Sequence, residues 1–123
     1  MQNSELYRRG MVVPLSQDAL GAIRSGTVSE GTSVAVASLA TESDFEWLRA
    51  KGFFAEINDR TGALLDDYEE DEIGVEHVVD VLRVATQFQS IRGLPPPVST
   101  FLGNVADACR GAINREMPVF FIL

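Results

Sequence analysis

Carboxylates are the residues best placed to do chemistry in this 123-residue chain. In the stretch DDYEEDE, Asp66 to Glu72, six of seven residues are acidic and none is basic. Such a run has three uses: a cation site, a surface that meets a basic partner, or a hydrated helix face. The specific metal templates fail at named positions. With Gly62 set at the glycine of a calcium loop, the first ligand position is Ile57 and the last is Tyr68, and neither supplies the carboxylate required. A di-iron bundle needs two Glu-x-x-His pairs. The chain has one histidine, His77, with Gly74 three residues before it. H-E-x-x-H is absent for the same reason.

The nucleophiles are equally bare of context. GTSVA, residues 31–35, lacks the second glycine of a G-x-S-x-G elbow. His77 falls on the polar side of its expected helix beside Glu76 and near Asp80, where a histidine is ordinarily an exposed side chain. Cys109, the single cysteine, lies on an apolar stripe and reads as a small buried hydrophobe; with no second cysteine, no intrachain disulfide forms. No phosphate-binding glycine loop is present. These residues point away from an enzyme, and they imply no cofactor and no metal.

Charge narrows the partners. Six of the eight net negative charges sit in residues 66–72, so the acidity is local. Ten Lys and Arg residues, scattered singly apart from Arg8-Arg9, give no stripe for phosphates, which argues against direct binding to nucleic acid or an anionic membrane. The start MQNSELYRRGMVV has no apolar core of signal-peptide length, and VFFIL is far short of the ~20 residues that span a bilayer. A cytoplasmic protein is expected.

The elements that must hold these residues follow from periodicity. LYRRGMVVPL (6–15) reads as a strand, ended or edged by Pro14. Ser16 as N-cap and Gly26 as terminator bracket a helix over 17–25. Val34 and Val36 alternate, so 32–40 leans to strand. Ser43 and Glu46 form a capping box opening a helix over 43–51 that Gly52 stops. FFAEINDRTGALLDD reads either as a hairpin or as a short helix closed by Gly62. Val75, Val78, Val81, Leu82, Ala85 and Phe88 make a helical apolar stripe. RGLPPPV connects to a last helix over Ser99–Arg115, which buries Phe101, Leu102, Val105, Ala108, Cys109, Ala112 and Ile113. PVFFIL closes as a strand so apolar that it must be buried in the sheet or against a partner. The expected fold is α+β: one helix-rich domain, residues 1–123, with a small sheet that includes the N- and C-terminal strands.

If residues 67–88 are largely helical, Glu69, Glu72, Glu76 and Asp80 fall three, four and four apart and form one anionic stripe. Like charges at that spacing repel, so helix stability does not explain it. Acids at a helix start gain from the macrodipole, which accounts for Asp66, Asp67 and Glu69 better than for Glu76 and Asp80. Tyr68 either packs inward beside Leu64, Leu65 and Ile73 or stands as an aromatic contact in an acidic interface.

The stretch GFFAEINDRTGALLDDYEEDEI resembles a segment of small bacterial immunity proteins, the antidotes to polymorphic or contact-dependent growth-inhibition toxins. Phe54, Ile57, Asn58, Asp67, Tyr68, Glu69 and Glu70 carry the likeness, within about 22 residues of the chain. The resemblance implies a small, acidic, cytoplasmic, non-enzymatic protein that binds one cognate protein toxin; many such toxins are basic nucleases. The expected interface is Asp66, Asp67, Tyr68, Glu69, Asp71, Glu72, Glu76 and Asp80. The alternative is a regulatory or accessory domain that forms a homo-oligomer through the apolar VFFIL edge.

Overall fold

The computed structural model describes residues 9–66 and 70–123; Asp67, Tyr68 and Glu69 lie outside the described residues. The order is β1 (Gly10–Pro14), α1 (Gln17–Ser25), β2 (Val34–Ser38), α2 (Glu42–Ala50), α3 (Phe53–Thr61), β3 (Glu70–Ile73), a 3-10 turn (Val75–His77), α4 (Val78–Gln89), α5 (Pro96–Arg115) and β4 (Val119–Ile122). The strands form one antiparallel sheet in the order β2-β1-β4-β3. The fold is thus α+β, with the first and last strands paired at the centre of the sheet.

Strand alternation assigns the two faces. Met11 opposes Phe121 and Val12 opposes Phe120, so Met11, Val13, Val119 and Phe121 share one face, and Val12, Phe120 and Ile122 the other. The first face is covered by the helical layer: the Phe54 ring on α3 lies 6.4 Å from Phe121. Phe53 is the hub of that layer, with ring centroids 5.1, 5.3 and 6.4 Å from Phe54, Phe88 and Phe101 on three helices. The second face looks towards α1, whose Ile23 packs against the core. Gly10 begins β1 with positive φ, and a Cβ there would collide with the Ala37 carbonyl, so the close β1–β2 approach needs glycine.

Local signals explain most boundaries. The Ser16 hydroxyl accepts from Ala19 N–H at 3.0 Å, and Gly26 ends α1 in the left-handed conformation. α2 is capped by Thr41, whose hydroxyl accepts from Asp44 N–H at 3.2 Å, so the expected Ser43 box sits two residues late. The helical reading holds for 53–61: Phe53, Phe54 and Ile57 are all buried, Arg60 pairs with Glu56 at 2.8 Å, and Gly62 closes the helix. The proline run does not separate two helices; it starts α5. Pro95 is the N-cap and Pro96 and Pro97 take the first helical positions, where a missing N–H costs nothing.

The largest correction concerns residues 67–88, which are not one helix. Residues 70–73 extend as β3 because Ile73 and the carboxylate-bearing positions before it pair along β4, from Glu70 opposite Ile122 to Ile73 opposite Val119. A very apolar β4 requires a neighbour on both sides, and that demand overrides the helix preference of glutamate. Val75, expected in the buried stripe, is exposed in the 3-10 turn, whereas Val84 is fully buried. Ile113, also expected inside, is exposed on α5.

Candidate acidic surface around strand β3

The acidic run is divided by the sheet rather than gathered on a helix. Glu70 and Glu72 oppose Ile122 and Phe120, so both project on the α1 face. Asp71 opposes Phe121 and turns towards the helical layer. Glu72, Glu76 and Asp80 therefore do not form the expected stripe. Glu69 of that stripe, with Asp67 and Tyr68 of the expected interface, lies outside the described residues.

Each described acid has a distinct setting. Glu72 takes a two-point ion pair from Arg24 on α1, with Nε to Oε1 at 3.1 Å and Nη2 to Oε2 at 2.6 Å. That hydrogen bond pushes the Arg24 guanidinium above its ordinary range. Asp71 accepts from Leu64 N–H at 2.9 Å and from Glu72 N–H at 2.9 Å, tying the segment after α3 to the strand. Asp80, in the first turn of α4, is met by His77 Nδ1 at 3.3 Å and Arg83 at 3.8 Å. Glu76 is exposed and folds its carboxylate back over Gly74. Asp66 is exposed within the segment that joins α3 to β3.

Glu70 is the acid that helical spacing overlooked. It is exposed and shares the α1 face with Glu72. With Ile23, Arg24, Glu72, Phe120 and Ile122 it lines a concavity of about 250 Å³, in which Arg24 already holds both Glu72 oxygens and Glu70 is the exposed acid. The Glu70 carboxylate suits a lysine or arginine whose stem lies along the half-buried Ile23 and Ile122. The acids before Ile73 are consecutive, so only the strand pairing separates Glu70 and Glu72 from Asp71.

Asn58 positions the start of the run. Its side-chain amide donates to the Leu65 carbonyl at 2.9 Å, and its carbonyl oxygen accepts from Leu65 N–H at 2.7 Å. Asn58→Ala leaves both Leu65 groups without that partner, costing about 1–3 kcal/mol. Amide exchange at Leu65 in the variant reads this directly, and unchanged protection there would contradict the role given to Asn58.

Cys109 stays inside, on α5 among the core residues. Burial pushes its thiol up from 9.0 to about 12, against a smaller downward pull from Arg110. A folded protein accordingly resists thiol reagents until it unfolds. Above the unfolded value the unfolded chain loses this proton while the folded chain keeps it. Stability therefore falls as pH rises between 9.0 and about 12, by up to ~1.4 kcal/mol per pH unit. Chemical denaturation across that window should show the slope in the parent and a shallower one in Cys109→Ala.

Among the described residues no three His, Cys, Asp or Glu side chains are grouped to hold a metal ion, and no helix is long and apolar enough to cross a membrane. Compared with protein-family models, curated protein sequences and solved structures, the chain gives no match.

Proposed function

We propose that this protein is a non-enzymatic immunity or inhibitor protein that binds and neutralises a cognate bacterial toxin domain through the acidic surface around β3. The observation that carries the reading is the concavity between α1 and β3, where the Glu70 carboxylate stands exposed beside Ile23 and Ile122. It adds a receptor for a basic side chain to a chain whose negative charge is concentrated in seven residues. An anionic surface of this kind steers a basic nuclease domain into place and covers the groove that would take its nucleic acid. Glu70 joins Asp66, Asp67, Tyr68, Glu69, Asp71, Glu72, Glu76 and Asp80 in the proposed interface. Within it, Asp71, Glu72 and Asp80 act mainly on their own neighbours, and the exposed Glu70 faces the partner.

The test is co-expression with the product of the adjacent gene, assayed for toxicity on its own. Growth rescue and co-purification of the pair support the reading. A folded protein that neither rescues nor binds that product sinks it.

A further inference from the structure

The two edges of the sheet are built differently. β3 carries three carboxylates in four residues, and Asp71 ties it to Leu64. The other edge strand, β2, reads VAVAS, and no residue from Gly31 to Thr41 is charged. Edge strands are ordinarily defended by charge, proline or a bulge, and β2 has none of these.

The register shows which groups of β2 are open. Leu15 N–H donates to Ser33 O, and Leu39 N–H donates to Arg9 O, each at 2.9 Å. Bonded pairs alternate along an antiparallel ladder, so Ala35 and Ala37 spend their backbone groups on β1. The N–H and C=O groups of Val34, Val36 and Ser38 consequently point out of the sheet. No partner for them exists among the described residues. Val36 is also 37% exposed.

We infer that β2 is a dimerisation edge, pairing antiparallel with β2 of a second copy about a two-fold axis at Val36. The open positions are symmetric about that residue: Val36 meets Val36, and Val34 meets Ser38. All three pairs exchange both hydrogen bonds, and no like charges meet along the strand. The axis keeps both helical layers on one side of a continuous sheet, so α5 runs antiparallel to its counterpart. The side of α5 that borders the β2 groove presents Asp107 and Arg115, with Gly111 midway between them. Asp107 is already paired with Arg110 on its own helix at 3.1 Å, so the recognition lies in the strand. Its uncharged, self-complementary register about Val36 selects a second copy as the occupant. The inference is independent of toxin binding, which uses the opposite edge.

Sedimentation across a concentration series, combined with residue-resolved amide exchange, tests it without any partner. Mass should double with concentration. Protection should rise at Val34, Val36 and Ser38 in the dimer, while Ala35 and Ala37 stay protected throughout. Val36→Pro removes an outward N–H that β1 does not use, and should yield a folded monomer. Should that variant not fold, Val36→Lys places two cations opposite each other and serves the same purpose. A parent protein that stays monomeric throughout overturns the inference. So does a dimer whose Val34, Val36 and Ser38 amides exchange as fast as in the monomer, or one that both variants leave intact.

Discussion

Phe53→Ala will cost the fold about 3–5 kcal/mol, the range for removing a large buried aromatic. The side chain is fully buried and its ring touches those of Phe54, Phe88 and Phe101. Its removal opens a void where α3, α4 and α5 meet. Against a total stability of about 0.05–0.15 kcal/mol per residue, the loss is a large fraction of what holds the domain together. Urea denaturation should show a lower midpoint with an unchanged slope. Leu64→Ala supplies the contrast: that residue is 77% exposed, and its loss should stay within ~0.5 kcal/mol. Comparable costs for the two variants would remove Phe53 from the centre of the core.

Charge reversal at the β3 surface should have the largest functional effect. Glu70→Lys together with Asp66→Lys changes the local charge by four units while leaving the Arg24–Glu72 pair in place. Association with a basic toxin domain should slow by ~10-fold or more at low salt, since steering of this kind raises on-rates by 10–10³. The dependence of the on-rate on ionic strength should flatten in parallel. Glu72→Lys is a different experiment, because it also sets a lysine against Arg24 and loosens α1. A folded double variant with the parent's on-rate and salt slope would remove the charged surface from the proposed interface.

The contrast between legible and illegible segments is physical. Helices with a cap and a stop were readable: Ser16 and Gly26 bracket α1, and Gly62 closes α3. β1, β2 and β4 were readable from β-branched and aromatic residues, and β4 from its sheer apolarity. β3 was not, because EDEI has helix-favouring acids and a single buried residue. Its conformation is imposed by β4, forty-six residues later, through pairing that no local window contains. That one long-range contact also decides the site. As a helix, Glu72 would have lined up with Glu76 and Asp80; as a strand, it joins Glu70 instead. The same contact removes VFFIL as the edge of a homo-oligomer, since that strand lies between β1 and β3 and offers no free edge. The proline run was misplaced for a different reason: prolines forbid the inside of a helix but suit its first turn.

The central position of β4 orders the assembly of the protein in time. During synthesis β1 and β2 can pair early, and β3 emerges while its only neighbour in the sheet has not yet been made. Chains grow at about 5–20 residues per second, so for several seconds β1 lacks one neighbour and β3 has no strand to pair with. Residues 119–122 then pair with both strands at once. Until then the acids of β3 hang on an unanchored segment, and any partner surface built on them does not exist. A chain lacking residues 119–122 would carry the charge of β3 without its shape.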